Sequence, residues 1–194
     1  EPSLTDEQHL VQIAAARALY ELGQKQYWAR LEQGAKSEEG YERGAAIRAF
    51  GELEDPRAIP ILEKTISDNQ PSIRAAAIAS LGKLKAPESL PTLKAALFDR
   101  IPAVRSVAAF SMGYFEPHQV LTPLTRALAD SNPGVQAAAV ASLLRVGAPY
   151  AVVKDTVEQI LNDQNPAIRS GAVKALGNGK GREVIAKLLF ALND

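Results

Sequence analysis

Cysteine is absent from the 194 residues. Disulfides, thiolate metal sites and cysteine nucleophiles are therefore excluded, and the absence fits either side of a membrane. Histidine occurs twice, as His9 and His118, far apart in sequence, so no metal site with two histidine ligands is expected. Both are expected at the surface, His118 in a loop after Pro117. Net charge is missing too: 22 bases face 22 acids. A globally basic nucleic-acid binder is disfavoured by that balance, although a local basic groove is not. The longest uncharged stretches fall far short of a membrane span. Aromatics make up only 6%. What remains is 46% hydrophobic and 23% charged, an ordinary globular composition with enough apolar material for a core. The chain opens on Glu1 rather than Met, so a piece of a longer product is expected, and targeting cannot be read from it. Thr5 or Asp6 is expected to cap the first helix.

A repeat dominates what is there. Ile73-Arg74-Ala75-Ala76-Ala77-Ile78-Ala79-Ser80-Leu81-Gly82 recurs 31 residues later as the segment from Val104 to Gly113, and again from Val135 to Leu144. The next copy, Ile168 to Gly177, follows at a step of 33. Earlier copies begin at Val11 and just before Arg43. One column thus reads Gln12, Arg43, Arg74, Arg105, Gln136, Arg169. A second reads Ser37, Asp68, Asp99, Asp130, Asp163, Asp194, and a third is Pro71, Pro102, Pro133, Pro166. The two extra residues are expected near Val146-Gly147-Ala148-Pro149.

Each unit predicts two helices. Pro71 to Leu84 is alanine-rich, with Ile73, Ala77, Leu81 and Leu84 at helical spacing and a proline where its missing N–H costs nothing. Glu88 to Phe98 carries Leu90, Leu93, Ala96 and Leu97 as a second helix. Asp68-Asn69 and their equivalents are expected to cap exposed amides at the turn. Gly82 and Gly113 fall late in the alanine-rich helices, where close helix approach or a bend is expected. A lone hairpin cannot bury its apolar face, whereas stacked hairpins share one. About six pairs are expected, near 8–37, 38–68, 69–99, 100–130, 131–163 and 164–194, as one domain over 1–194 with the alanine-rich helices on the concave side of a right-handed superhelix.

The unit Asp-x-x-Pro-x-Val/Ile-Arg-x-x-Ala-x-x-x-Leu-Gly resembles a HEAT repeat, in particular the short bacterial repeats of the phycobilisome-lyase type, over roughly residues 8–194. The resemblance implies an all-α, right-handed α-α superhelix. It also implies a ladder between neighbouring repeats, with Asp68, Asp99, Asp130 and Asp163 set against Arg43, Arg74, Arg105 and Arg169. Gln12, Gln136 and Ser37 depart from it and should cost the ladder charge at those rungs. An arginine column also suits a phosphate track, but Arg74, Arg105 and Arg169 each have an acid six residues earlier, and a neutralised arginine reads phosphate poorly.

Catalytic signals are weak. No Gly-x-Ser-x-Gly elbow exists. Gly177-Asn178-Gly179-Lys180-Gly181-Arg182 lacks the Ser/Thr of a phosphate loop and follows no strand, so it is expected to be a turn. No catalytic residue, cofactor or metal is assigned.

Positions the repeat does not dictate are more telling. One alanine-rich-helix column reads Arg17, Arg48, Ala79, Phe110, Ala141, Lys174, and the column one turn on reads Glu21, Glu52, Lys83, Tyr114, Arg145, Asn178. Phe110 and Tyr114 are expected either to form an aromatic anchor or to pack against a neighbouring helix and its backbone. Charge is graded as well: residues 1–55 hold eleven acids and six bases, a net of −5 that the rest offsets. Trp28 aligns with Leu90 and should seal the amino-terminal end of the core. At the other end Ile185, Leu188, Leu189 and Leu192 make a stripe that a further repeat, a partner or a second copy is expected to cover.

The function expected is a non-catalytic scaffold that binds a protein through Arg17, Arg48, Phe110, Tyr114, Arg145 and Lys174. The resemblance keeps two alternatives: a bilin-lyase-like subunit handling a tetrapyrrole, and a nucleic-acid binder akin to HEAT-like glycosylases. The acidic first third counts against the second.

Overall fold

The computed structural model describes residues 4–191. Every regular element among them is helical. The pairs in chain order are α1 (Leu4–Glu21) with α2 (Trp28–Gly34), α3 (Gly40–Leu53) with α4 (Ile59–Thr65), and α5 (Pro71–Leu84) with α6 (Leu90–Ala96). Then come α7 (Pro102–Met112) with α8 (Pro117–Ala127), α9 (Pro133–Arg145) with α10 (Tyr150–Leu161), and α11 (Pro166–Leu176) with α12 (Arg182–Ala191). Proline opens α5, α7, α8, α9 and α11, where its fixed φ suits the first turn.

Three local expectations change. Thr5 and Asp6 are already helical in α1, so neither precedes it as a cap. His118 is the second residue of α8 and not part of a loop. α6 is shorter than the spacing predicts, because a tight turn at Pro87–Ser89 precedes it. Beyond it, Leu97 and Phe98 donate three residues back, to the Lys94 and Ala95 carbonyls. Leu192 of the apolar stripe and Asp194 of the turn column lie outside the described residues.

Two compact units divide between Ser89 and Leu90, so the third pair contributes α5 to one and α6 to the other. In unit 1, α3 packs between α1 and α5, and α2 and α4 cover α3 and α5. Its core is Ile13, Leu31, Ile47, Phe50, Leu62, Ile78 and Leu81. Each such side chain stabilises the fold by about 1.5–3 kcal/mol. Trp28 is buried and its ring lies 4.7 Å from Phe50 and 5.5 Å from Tyr20. In unit 2, α9 packs between α7 and α11, α8 and α10 pack on α9, and α12 lies against α11 and α10. Val104, Met112, Leu124, Val135, Leu143, Val157 and Leu176 fill that core.

Small residues set how closely the first helices approach. A Cβ on Gly113 would stand 3.1 Å from Ser142 Cα, and one on Gly51 would stand 2.8 Å from Ser80 Cα. Both serines donate across the contact, Ser80 Oγ to the Ile47 carbonyl at 3.0 Å and Ser142 Oγ to the Phe110 carbonyl at 3.3 Å. The connection from α9 to α10 turns at Gly147, whose φ of +87° suits glycine.

Candidate interaction surface

The arginine column is committed to structure. Arg105 makes a bidentate pair with Asp130 of the next repeat, Nε to Oδ2 at 2.7 Å and Nη2 to Oδ1 at 2.8 Å. Arg43 grips Asp68 in the same way. The contact six residues back is a backbone carbonyl: Arg74 Nη1 donates to Asp68 O, Arg105 Nη1 to Asp99 O, and Arg169 Nη1 to Asp163 O. Gln136 keeps this bond, with Nε2 donating to Asp130 O at 2.8 Å. The aspartates also close the turn, each accepting from the N–H two residues on, as Asp68 does from Gln70 and Asp130 from Asn132. The Arg105 hydrogen bonds hold the Asp130 carboxyl below its ordinary value, outweighing burial, which raises it. At Asp68 burial is the largest influence and pushes up, but the hydrogen bonds from Arg43 and the Gln70 N–H, with the charges of Arg43 and Arg74, together hold the carboxyl below its ordinary value.

Unit 1 handles its two candidates differently. Arg17 bonds Glu52 of the next repeat, and Glu21 on its own helix is not its partner. Arg48 is exposed, and its guanidinium folds back toward Gly44. A polar cluster that the repeat columns do not reveal closes the Trp28 end. Tyr20 OH donates to Asp55 Oδ2 at 2.5 Å, Arg57 bonds both, and the Arg57 guanidinium lies 4.5 Å from the Trp28 ring centre. The Arg57 hydrogen bonds hold the Asp55 carboxyl far below the usual carboxylate range, although burial opposes them. Its bond to Asp55 pushes the Tyr20 hydroxyl up. His9 Nδ1 stands 3.4 Å from Tyr41 OH and 3.7 Å from Glu42. Among the described residues no three of His, Asp and Glu gather as a metal site requires.

Unit 2 brings three candidates together. Phe110 ends the exposed face of α7, while Tyr114 sits in the turn beyond it, its N–H bonded to Ser111 O. Their rings meet edge to face, 5.8 Å apart. The Arg145 guanidinium from α9 lies over both, 4.3 Å from the Phe110 centroid and 5.0 Å from that of Tyr114. Asn178 fixes it from the next repeat, accepting from Nη2 at 3.0 Å. Both rings nevertheless stay 40% exposed. Lys174 is exposed on α11, one turn before Asn178, and among the described residues no side-chain hydrogen bond or cation–ring contact joins it to the three. The loop from Gly177 to Gly181 is thus a turn whose asparagine positions an arginine.

A family model of HEAT repeats matches residues 28–101. That match covers less than half of the chain. No curated protein matches the sequence. Solved structures show the same HEAT-like architecture. The Escherichia coli protein YibA matches at 22% identity and a TM-score of 0.63, over 84% of this chain and 63% of that one. This chain therefore spans less than two thirds of that protein. The complex of CpcE and CpcF of phycocyanin lyase from Nostoc matches at 20% identity and a TM-score of 0.64, over 91% of this chain and 77% of that one. A designed armadillo repeat protein in complex with the peptide (KR)4 matches at 17% identity and a TM-score of 0.56, over 89% and 98% of the two chains. At these identities the likeness is one of fold. No helix among the described residues is long and apolar enough to cross a membrane.

Proposed function

We propose that this chain is a non-catalytic interaction module that holds a segment of a partner protein on the exposed α7–α9 surface of unit 2. One observation carries the reading: the Arg145 guanidinium is stacked on Phe110 and Tyr114 while both rings remain open to solvent. Aromatic and arginine side chains that are already ordered lose little entropy on binding, and they dominate interface energetics once water is excluded. Asn178 supplies the ordering. Lys174 offers a flexible cation one repeat further on. In unit 1 Arg48, exposed and without an ion pair among the described residues, offers a separate contact, whereas Arg17 is held by Glu52 and contributes less.

The bilin-lyase reading has fold likeness to CpcE and CpcF behind it and no residue-level feature of this surface. The nucleic-acid reading has the zero net charge against it. The test is selection from a displayed random-peptide library on the wild-type chain and on the F110A/Y114A double variant. Enrichment on the wild type alone, with both proteins melting alike, supports the reading. Equal enrichment on both overturns it.

A further inference from the structure

Unit 2 holds a second feature on other residues. A cleft of about 830 Å3 opens between α6 and α8, within the range of ligand and peptide sites. Three successive turns of α8 line it through His118, Thr122 and Arg126, with Pro123 and Ala127 beside them, and Lys94 of α6 with Leu97 and Phe98 just beyond that helix complete the lining. From His118 to Ala127 the trough runs about 13 Å along the helix. Leu97, Pro123 and Ala127 give its lining an apolar part, and Phe98, also in the lining, is 82% exposed.

The charges around it are unequal. Arg105 and Asp130 satisfy each other, and Asp99 accepts from the Ile101 N–H. Lys94 on α6, Arg100 in the following loop and Arg126 on α8 pair with no carboxylate among the described residues. Three unmatched cations from three separate elements thus flank one apolar trough.

We propose that this cleft binds an acidic, extended peptide segment of a partner protein, about four residues long, with one apolar side chain laid on Leu97, Pro123 and Phe98. An extended residue spans about 3.3 Å, so four match the trough. The cations answer carboxylates spaced along the segment. A single-stranded nucleic acid suits the site less well, because base stacking uses several aromatic platforms and the cleft offers one phenylalanine ring. The site shares no residue with the Phe110–Tyr114–Arg145 surface, so either proposal survives the failure of the other.

The probe is a fluorescein-labelled peptide, Glu-Asp-Leu-Glu-Asp-Glu, followed by anisotropy on the full chain. Saturable binding is expected, weakening as salt rises from about 0.05 to about 0.3 M. The R100A/R126A variant should bind about tenfold more weakly with an unchanged melting temperature, since both side chains are solvent-exposed. R100K/R126K should keep most of the affinity, and F110A/Y114A should keep all of it. The proposal is overturned if the acidic peptide does not bind, if its Gln/Asn/Leu analogue binds equally well, or if R100A/R126A binds like the wild type. It is equally overturned if oligo(dT) or inorganic phosphate displaces the peptide at concentrations similar to the peptide itself.

Discussion

Ser80 lies so close to Gly51 that any side chain at 51 would drive into the backbone of the neighbouring helix, its Cβ 2.8 Å from Ser80 Cα. The G51A variant should therefore lose about 1–3 kcal/mol, the cost of overpacking a contact that cannot open. Gly171 is the internal control. A Cβ there meets Ala137 Cβ at an ordinary 3.7 Å, inside α11. G171A should gain about 0.5–1 kcal/mol through helix propensity. Urea unfolding of both variants checks the opposite signs.

The ladder makes a graded prediction at Arg105. R105A removes two bonds to Asp130 and one to the Asp99 carbonyl. It leaves a mostly buried carboxylate unpaired, and should cost about 2–4 kcal/mol. R105Q can keep the carbonyl bond, as Gln136 does in the next repeat, and should cost less.

Asp130 adds a pH dependence with a definite sign. Its carboxyl titrates below the ordinary value near 3.9, because Arg105 stabilises the charged form. A depressed carboxylate contributes stability that is present above the unfolded pKa and lost as pH falls through the folded one. D130N should be about 1–3 kcal/mol less stable than wild type at pH 7. The gap should narrow below about pH 4. Unfolding curves measured from pH 7 to pH 2 follow it, and a gap that widens in acid would contradict the assignment.

At the Trp28 end, W28A should cost about 3–5 kcal/mol, because the ring is buried against Phe50 and Tyr20. W28L restores the residue type found at Leu90 in the same column and should cost less than half as much. Thermal melts of the two variants compare them directly.

Much of this architecture is legible in the chain. The columns beginning at Ile73, Val104 and Val135 give the helix pairs, because a small-residue period of 31 leaves few other ways to bury an apolar face. The limits of α5, Pro71 to Leu84, follow from its proline and its apolar spacing. Phe110, Tyr114 and Arg145 meet because adjacent columns of neighbouring repeats fall side by side. What escapes a linear reading are contacts that cross between helices. Arg17 pairs with Glu52 and not Glu21, since small residues bring the first helices within reach of a guanidinium. The serine and glycine columns are visible in the sequence, but their mutual contact needs the helix offset. The cleft beside α8 joins residues from Lys94 to Ser131 on neighbouring repeats, and no single column shows that they line one hollow.

The central claim is that Phe110, Tyr114 and Arg145 bind as one preformed unit. Calorimetric titration of a library-selected peptide into wild type, Y114A, R145A and the double variant Y114A/R145A tests it most directly. Each single change should weaken Kd by about tenfold or more, and the double change by clearly less than the product of the two, because each ring orders the same guanidinium. Wild-type affinity in Y114A and R145A, with melting temperatures intact, would contradict the account.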